Sequence, residues 1–479
     1  MTYELTPKLF IDGAWEPAVD GSTFTVEDPA TGEPIAAVAN AGIDDGRRAA
    51  GAAASAGPGW AARTPRHRAE ILRAVFDRMI AAKDQIADLI VAENGKARTD
   101  ALAEVDYAAE FFRWYSEEAV RLPGYLTQSP TSERRIIELS QPVGVALLLT
   151  PWNLPAAMIT RKIAPALAAG CTVVVKPSPQ TPLTALLLAQ ILHDAGVPAG
   201  VVNIIPTSRD IEVVADLIDH GPVRAVSFTG STRVGSALLA QASRRILNTS
   251  MELGGNAPFL VFPDADIDAA VAGALQAKMR HNAEACTAAN RFYVHDTVRA
   301  EFVDKLAAAF NALRVGPGTE PGVQVGPMAS AAAKESIENA VQIALDGGGK
   351  PVTGNTPHPG PGYFFTPTLI DNIAPDADIL GHELFGPVAP VVEFTDTDDV
   401  IAWANSTDMG LGSYIFTGTL QHGLRIAEQL DTGMVGLNTG IFSDPAAPFG
   451  GTKQSGIGRE GGRHGITEFL ETKYIATTW

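Results

Sequence analysis

The stretch VGVALLLTPWNLPAAMITRKIAPALAAGCTVVVK, residues 143–176, decides the fold. It begins with an apolar run of strand length, continues with a segment of helix length over 155–169, and ends with a second apolar run. Two buried strands joined by a helix lie parallel, because the helix crosses one face of the sheet between them. The stretch therefore predicts a parallel sheet covered by helices.

Strand and helix continue to alternate after this stretch, and a second alternating series begins near residue 254. The first series predicts further strands at 201–205 and 223–228 and helices at 181–195, 209–219 and 232–244. The second predicts strands at 259–262, 291–295, 362–370, 389–394 and 413–417 and helices at 266–280 and 297–312. Such alternation is typical of the α/β class, with helices on both faces of each sheet.

The flanking segments have other patterns. Asp12-Gly13 and Asp20-Gly21 are hairpin signals among short strands, and residues 44–121 have helical periodicity. The run ERRIIELS, residues 133–140, predicts an isolated strand. Near the C-terminus, GRHGITEFLETK predicts a helix over 462–473, and YIATTW predicts a strand over 474–479. Residues 347–362 are rich in glycine and proline and predict a surface loop.

The composition is that of a globular protein, with 46% hydrophobic and 19% charged residues. Lys and Arg number 36 against 54 Asp and Glu, and the formal net charge of −18 disfavours binding to nucleic acid. The N-terminus lacks the pattern of a secretory signal, and the longest apolar runs are too short to cross a membrane. We expect a cytoplasmic protein with no nucleic-acid or membrane partner.

Only two cysteines are present, Cys171 and Cys286, 115 positions apart. No Cys-x-x-Cys pair and no histidine at metal-ligand spacing accompanies them, so neither a metal site nor a disulfide framework is expected. Cys171 opens an apolar strand and predicts a core thiol. Cys286 lies in MRHNAEACTAANR, residues 279–291, and is either another core thiol or a nucleophile in a loop. His281 leaves open a Cys–His dyad of the kind that thiol hydrolases use.

Polar residues follow several predicted strands, at the end of a parallel sheet where ligands bind. Asn153, after the first strand, either donates to a developing oxyanion or caps the next helix. Lys176 and Ser178 follow the second strand in KPSPQTP. Gly230-Ser231 opens a helix whose N-terminal N–H groups suit a phosphate, although the G-x-G-x-x-G pattern is absent.

Two carboxylates are further candidates. Glu252, in MELGGN, lies between Met251 and Leu253, whose apolar side chains should raise its pKa and suit a general base. A buried structural ion pair is the alternative for Glu252. Glu383, in HELFGPVAP, could hold ribose hydroxyls while Phe385 flanks a nicotinamide ring. A carboxylate in a helical first turn and a core phenylalanine would explain that pattern equally well.

Taken together, these stretches resemble the aldehyde dehydrogenase superfamily over nearly the whole chain. Glu252 precedes Cys286 by 34 residues and Glu383 follows it by 97, as the family pattern expects. The resemblance implies that Cys286 is the nucleophile, that Glu252 activates water, and that the Asn153 side chain and the Cys286 backbone N–H form the oxyanion hole. The motifs that carry it, in the family's order, are TPWNLP, KPSPQTP, FTGSTRVG, MELGGNAPF, ACTAANR, HELFGPV and PFGGTKQSGIGRE.

The resemblance also implies a nicotinamide dinucleotide cofactor and an architecture that holds it. A parallel-sheet, Rossmann-like cofactor domain is expected from residues 1–121 and 141–252, and a second α/β catalytic domain from 253–445. A small β oligomerisation arm is expected from 122–140 and 458–479, which implies a homo-oligomer, a dimer or a tetramer. The cofactor is expected to contact Trp152, Lys176, Ser178, Pro179, Gly230, Ser231, Glu383 and Phe385.

Within the family, the sequence is most similar to the branch that oxidises succinate semialdehyde. Arg161, Arg280 and Ser443 match the carboxylate-binding residues of that branch, and the planar guanidinium suits a carboxylate. The expected reaction converts succinate semialdehyde to the carboxylic acid through a cysteine thiohemiacetal and a thioester. Glutarate semialdehyde is an alternative substrate. A CoA-acylating semialdehyde dehydrogenase is disfavoured, because that branch usually lacks the counterpart of Glu252.

Three departures from the family pattern matter. Ala288 stands where some branch members have a second cysteine, so a disulfide switch is excluded there. Ala283 and Glu284 replace glycine and glutamine before the nucleophile, which changes the local charge. Pro179 replaces a glutamate that holds the adenosine ribose in NAD-preferring relatives. Losing that carboxylate removes repulsion of a 2′-phosphate near Lys176, so NADP is favoured over NAD.

Overall fold

The computed structural model describes residues 3–356, 358 and 360–479. Its strands are β1 (Leu9–Ile11), β2 (Ala14–Glu16), β3 (Thr23–Glu27), β4 (Pro34–Ala39), β5 (Tyr125–Gln128), β6 (Arg135–Pro142), β7 (Val145–Leu149), β8 (Thr172–Lys176), β9 (Val202–Ile204), β10 (Val223–Thr229), β11 (Asn248–Glu252), β12 (Ala257–Val261), β13 (Ala289–His295), β14 (Lys350–Thr353), β15 (Thr368–Asp371), β16 (Val388–Phe394), β17 (Met409–Gly410), β18 (Gly412–Phe416), β19 (Met434–Leu437), β20 (Thr452–Lys453), β21 (Gly456–Ile457) and β22 (Leu470–Thr477).

Its helices are α1 (Ile43–Ala61), α2 (Pro65–Ala81), α3 (Lys83–Asn94), α4 (Arg98–Glu118), α5 (Ala157–Ala169), α6 (Pro182–Asp194), α7 (Asp210–His220), α8 (Thr232–Ala242), α9 (Ile267–Met279), α10 (Asp296–Asn311), α11 (Ala331–Asp346), α12 (Val400–Asn405) and α13 (Leu420–Ala427). Among the residues that the structure describes, no helix is long and apolar enough to cross a membrane.

Five parallel strands form the centre of an eight-stranded sheet, in the order β9-β8-β7-β10-β11. The order reverses at β7, since β8 and β9 lie on one side of it and β10 and β11 on the other. As predicted, the stretch 143–176 supplies the central strands β7 and β8 and the helix α5 between them. Antiparallel β1, β2 and β21 complete the edges.

Helices cover both faces of this sheet, as the alternation of strand and helix predicts. Ala146 and Leu148 of β7 pack in a core with α2 to α6, whereas Val145, Leu147 and Leu149 pack in a second core with α1, α7 and α8. All five side chains are buried. Burying one leucine side chain stabilises the fold by about 1.5–3 kcal/mol, so a strand that is apolar on both faces is favoured at the centre of the sheet.

A second sheet has the strand order β14-β15-β16-β13-β12-β18-β19, and all of its strands except β14 are parallel. The helices α9 and α10 cover one face, and α11, α12 and α13 cover the other. The α/β fold class is therefore confirmed. All strands of this sheet lie within the predicted range 253–445, while the domain boundaries themselves remain predictions.

A third, smaller sheet consists of β5, β6 and β22, all antiparallel. β6 contains most of the predicted strand 133–140 and continues to Pro142. Several apolar side chains of this sheet are exposed, including Tyr125, Leu126 and Tyr474. This sheet includes strands from both segments predicted as the oligomerisation arm, and its role in assembly remains a prediction.

Several predictions for the flanking segments are wrong. Asp12-Gly13 closes the β1–β2 hairpin with positive φ at both residues, but Asp20-Gly21 closes none, because β3 pairs with β4 rather than with β2. Residues 462–473 do not form a helix, since β22 begins at Leu470 and its backbone groups pair with β6.

Two predictions in the second half of the chain are also wrong. The predicted strand 362–370 is shortened to β15, which starts at Thr368. The predicted loop 347–362 includes strand β14, which pairs with β15 although its side chains are largely exposed. Residues 357 and 359 of that loop lie outside the described residues.

Candidate active site

Residues predicted from separate motifs come together at the end of the first sheet that faces the second. Asn153 follows β7, Gly230 and Ser231 follow β10, and Glu252 is the last residue of β11. These are the C-terminal ends of parallel strands, next to the point between β7 and β10 where the strand order reverses. Cys286 precedes β13 of the second sheet and completes the site.

Two pockets meet at Cys286, which lines both. The first, here called the arginine pocket, has a volume of about 210 Å³. The second, the aromatic pocket, has a volume of about 190 Å³ and is also lined by Asn153. The arginine pocket contains Tyr107, Arg161, Arg280, His281, Ser443 and Phe449. The aromatic pocket contains Trp152, Gly230, Ser231, Gly254, Glu383 and Phe385.

The sulfur of Cys286 has a carboxylate beside it. Its Sγ lies 3.9 Å from Oε2 of Glu252, a buried residue. Burial raises the pKa of Glu252 to about 8, although the charge of Arg161 lowers it in part. Burial and the charge of Glu252 together raise the pKa of the Cys286 thiol well above its ordinary value. A carboxylate with a raised pKa is a stronger base, so Glu252 can accept a proton from the thiol or from a water molecule.

Arg161 lines the arginine pocket but has carboxylate partners of its own. It forms ion pairs with Glu460 and, at 3.4 Å, with Glu252, and its guanidinium lies 4.4 Å from the centre of the Phe449 ring. Burial would raise the pKa of Glu460, but the charges of Arg161 and Lys162 hold it below its ordinary value. The charge of Arg161 is therefore largely balanced within the protein. Glu460 is the last residue of the quoted motif PFGGTKQSGIGRE, but it was not among the predicted site residues.

Arg280 differs from Arg161 in its surroundings. Within the part of the chain that the structure describes, its guanidinium has neither an ion pair nor a hydrogen bond, and its Nε is shielded from water. The hydroxyl of Tyr107, a residue that the sequence analysis missed, is also buried in the same pocket without a hydrogen bond of normal geometry. Buried donors that lack acceptors cost free energy, so this pocket favours an anionic ligand that accepts hydrogen bonds.

Asn153 is buried and tied to the loop that carries the cysteine. Its side-chain Nδ2 donates to the backbone oxygen of Glu284 at 3.0 Å. Its own backbone oxygen accepts a hydrogen bond of 2.7 Å from Lys96, which also pairs with Glu104 at 2.5 Å. The Asn153 amide is thus oriented toward the segment before Cys286. Lys96 and Glu104 lie far from it in sequence and carry no motif that would have identified them.

The backbone before Cys286 is strained. His281, Asn282 and Ala283 have φ values of 55°, 58° and 62°, in the left-handed region that costs about 1–2 kcal/mol per residue other than glycine. The Asn282 side chain anchors this run, since it accepts from Gly326 N at 2.7 Å and donates to Pro327 O at 2.9 Å. Such anchoring holds the cysteine loop in one conformation.

His281, in the strained run before Cys286, forms no hydrogen bond to the sulfur. The Cys286 thiol donates to Glu252 rather than to His281, and Nδ1 of His281 has no hydrogen-bond partner among the described residues. Burial and the charges of Lys96 and Arg280 hold the pKa of His281 well below its ordinary value. The geometry therefore gives no support to a Cys–His dyad.

Most of the predicted cofactor residues meet at the aromatic pocket. The rings of Trp152 and Phe385 lie edge to face, 5.5 Å apart, and Glu383 accepts a hydrogen bond of 2.9 Å from Gly255 N. Burial raises the pKa of Glu383 to about 7. Ser231 caps the N-terminus of α8 through its hydroxyl. Two flat rings, a carboxylate and a helix N-terminus suit a nicotinamide ring, its ribose and a phosphate, respectively.

The other predicted cofactor residues lie outside the aromatic pocket. Lys176 lines an adjacent pocket and forms an ion pair of 3.3 Å with Asp210. The hydroxyl of Ser178 accepts a hydrogen bond from Gln180 N at 3.3 Å, and Pro179 lines a separate groove. Cys171 is buried, as expected of a core thiol. Among the residues with described positions, no three His, Cys, Asp or Glu side chains are grouped to hold a metal ion.

Comparisons of the sequence and of the structure with known proteins point to one family. A model of the aldehyde dehydrogenase family matches residues 15–475. A succinate-semialdehyde dehydrogenase of Paenarthrobacter nicotinovorans is 51% identical, with 92% of this chain and 98% of that protein covered. A glutarate-semialdehyde dehydrogenase of Pseudomonas aeruginosa is 47% identical, with 98% and 97% covered. The crystal structure of an NADP-dependent enzyme of E. coli superimposes with a TM-score of 0.97 at 44% identity, covering 99% of this chain and 98% of that one.

Proposed function

Because the chain belongs to the aldehyde dehydrogenase family, we propose that it oxidises succinate semialdehyde to succinate with a nicotinamide dinucleotide as the oxidant. Glutarate semialdehyde, which is one carbon longer, is a second candidate substrate, since a relative named for it is 47% identical. Both substrates carry a carboxylate at the end remote from the aldehyde. The arginine pocket is the proposed site for that carboxylate.

The observation that carries this proposal is the guanidinium of Arg280, which has no ion pair or hydrogen bond among the described residues and lies in a pocket that ends at Cys286. The protein has a net charge of −18, so a free anion is repelled unless a local cation attracts it. Arg280 is such a cation, and Ser443 lines the same pocket. An aldehyde whose carboxylate lies against Arg280 can place its carbonyl carbon at the sulfur.

The residues around the sulfur support a covalent mechanism. The Cys286 thiol loses its proton, with Glu252 as acceptor, and the sulfur adds to the aldehyde carbon to form a thiohemiacetal. The Asn153 amide stabilises the oxyanion. A cofactor held at the aromatic pocket by Trp152, Glu383 and Phe385 would supply the hydride acceptor. Loss of hydride from the thiohemiacetal carbon leaves a thioester on Cys286. Glu252 releases the first proton to solvent and then removes one from a water molecule, which attacks the thioester carbon. The acid leaves, and the proton held by Glu252 returns to the sulfur to restore the thiol.

The aldehyde dehydrogenase family uses NAD or NADP, and we propose that this enzyme uses NADP at least as well as NAD. Pro179 supports this proposal, because it leaves no carboxylate at the position where NAD-preferring relatives hold the ribose. Lys176, with its side chain almost buried at the end of β8, is the cation proposed to lie near a 2′-phosphate. A similar fold in an NADP-dependent enzyme is consistent with this proposal.

The assembly and the location are also proposed. The exposed apolar side chains of β5 and β22 support a homo-oligomer, a dimer or a tetramer, in which a partner covers this small sheet. A cytoplasmic location is proposed from the sequence alone.

The decisive experiment is a substrate panel with the purified protein. Succinate semialdehyde, glutarate semialdehyde, butanal and pentanal are each assayed with NAD and with NADP, by the absorbance of the reduced nicotinamide. We expect kcat/KM to be highest for a carboxylated substrate and at least about 10-fold lower for the uncharged aldehyde of equal length. Equal kcat/KM for butanal and succinate semialdehyde would contradict the proposed substrate class.

A further inference from the structure

A third pocket lies beside the aromatic pocket, at the C-terminal ends of β8 and β10 and between the helices α7 and α8. It has a volume of about 330 Å³ and is here called the Asp210 pocket. Charged and apolar side chains both line it, which suits a ligand with an apolar part and a polar part. The charged residues are Lys176, Asp210 and Arg233, and the apolar residues include Ile211, Val234 and Leu238.

The two carboxylate oxygens of Asp210 differ in their surroundings. Its Oδ2 lies 3.3 Å from Nζ of Lys176. Its Oδ1 is shielded from water and has no hydrogen-bond partner in the described part of the chain. The Asp210 side chain as a whole lines the pocket and is 45% exposed, so its carboxylate is accessible to a ligand there. The pocket therefore offers an acceptor for a hydroxyl group.

The charges of this pocket nearly cancel at the buried end. The Lys176 side chain is 10% exposed, and Asp210 is the group that balances its charge. Arg233 is exposed and, within the described residues, has no carboxylate partner. A phosphate dianion near Lys176 would also lie close to the carboxylate of Asp210, and these two negative charges would repel each other.

We infer that Asp210 is a specificity-determining residue that favours NAD and opposes NADP, by accepting a hydrogen bond from the 2′-hydroxyl of the adenosine ribose and repelling a 2′-phosphate. In doubly wound α/β folds a carboxylate holds the ribose hydroxyl of NAD, whereas arginine accommodates the phosphate of NADP. The inference rests on the proposed use of a dinucleotide. Asp210 would thus oppose the preference for NADP that is expected from Pro179, a residue that lines a different groove.

The preference for NADP or NAD then depends on residues with opposing effects. Lys176, Arg233 and the absence of a carboxylate at Pro179 favour a phosphorylated ribose, and Asp210 disfavours it. The protein is thus expected to use both cofactors, and removing the charge of Asp210 should move it toward NADP. Neither Asp210 nor Arg233 belongs to the set of residues that the sequence analysis assigned to the cofactor.

The test measures nucleotide binding without catalysis. Calorimetric titrations of the full-length protein with 5′-AMP and with 2′,5′-ADP, which differ only in the 2′-phosphate, are compared for the wild type and Asp210→Asn. We expect Asp210→Asn to bind 2′,5′-ADP about 10-fold more tightly and 5′-AMP no more tightly than the wild type. The ratio of kcat/KM for NADP to that for NAD should rise by a similar factor.

Glu212→Gln is the matched control, because it removes the same charge from the same helix. Glu212 is half-exposed, pairs with Arg209 and does not line the pocket. We expect it to leave the binding ratio unchanged, and an equal shift in this variant would show that only the net charge matters and would overturn the inference. A ratio unchanged by Asp210→Asn would also overturn it. The proposed function would stand in that case if the wild type still oxidised semialdehydes with either cofactor.

Discussion

The sulfur of Cys286 lies 3.9 Å from a carboxylate oxygen of Glu252, at the junction of the arginine pocket and the aromatic pocket. A single buried carboxylate is therefore within reach of both the nucleophile and any water molecule that attacks an acyl group on it. Burial raises the pKa of this carboxylate to about 8, which makes it a base suited to both proton transfers.

Replacing the nucleophile should abolish aldehyde oxidation. We expect Cys286→Ala to lose more than about 1,000-fold in kcat while it still folds and binds the cofactor, because the covalent step is removed. Steady-state kinetics measure the loss of kcat, and a calorimetric titration with NADP checks that the cofactor still binds. Cys171→Ala, which removes the other thiol from the core, is the control and should retain activity. If Cys286→Ala kept most of its kcat, the nucleophile would have to be another residue.

Replacing Glu252 should separate the two halves of the reaction. In Glu252→Gln we expect hydride transfer to be slower than in the wild type, because the thiol loses its proton acceptor. It should still appear as a burst of about one turnover, followed by much slower steady-state turnover, since thioester hydrolysis lacks its base. Rapid-mixing measurements of reduced cofactor check this. Steady-state turnover equal to that of the wild type would remove Glu252 from the proposed role.

The pH dependence of hydrolysis should follow the ionisation of Glu252. The raised pKa means that the basic form becomes populated only as the pH rises through about 8. The deacylation rate of the wild type should therefore rise as the pH approaches 8 and then level off. In Glu252→Gln the rate should not rise over this pH range. A wild-type deacylation rate that stays constant from about pH 6 to about pH 9 would contradict the role of Glu252 as the base.

Removing Arg280 should affect only substrates that carry a carboxylate. We expect Arg280→Ala to lower kcat/KM for succinate semialdehyde by about 10- to 100-fold, since a charged hydrogen bond contributes about 1.5–3 kcal/mol, and to leave butanal nearly unaffected. Arg280→Lys keeps the charge but lacks the planar guanidinium. Its kcat/KM for succinate semialdehyde should lie between those of the wild type and Arg280→Ala. The contrast between substrates cancels any damage to the Cys286 loop. An equal loss on both aldehydes would make Arg280 a structural residue.

Adding a carboxylate at position 179 should shift the cofactor preference toward NAD. Pro179→Glu introduces a ribose acceptor that repels a 2′-phosphate, so we expect the ratio of kcat/KM for NADP to that for NAD to fall by about 10-fold. Pro179→Ala is the matched control that removes the ring without adding charge, and it should leave the ratio unchanged. A wild type with a far higher kcat/KM for NAD would show that the inference from this position is wrong.

The small sheet of β5, β6 and β22 should mediate assembly. Light scattering at micromolar concentration is expected to give the mass of a dimer or a tetramer. Leu126→Glu places a charge on the exposed side of this sheet and should reduce that mass, whereas Val19→Glu, at an equally exposed apolar residue elsewhere, should not. A wild-type protein with the mass of one chain would refute the proposed oligomer.

The sequence by itself determined the two α/β series and the positions of the chemical groups. The stretch 143–176 is apolar on both sides of its strands, which allows burial at the centre of a sheet, and that property is local. Cys286, Glu252 and Asn153 belong to short motifs whose order and spacing resemble those of the family, and this resemblance predicted them as site residues. The C-terminal helix over 462–473 was predicted wrongly, because β22 gains its hydrogen bonds from β6, more than 300 residues away in sequence.

Only the tertiary structure decided how the charges in the site are balanced. Arg161 and Arg280 were equivalent candidates in the sequence, yet Arg161 pairs with Glu252 and Glu460, while Arg280 has no such partner among the described residues. Whether a buried charge is available to a ligand depends on which groups the fold places within about 4 Å of it. That proximity arises from the packing of distant segments, and no local pattern in the chain encodes it.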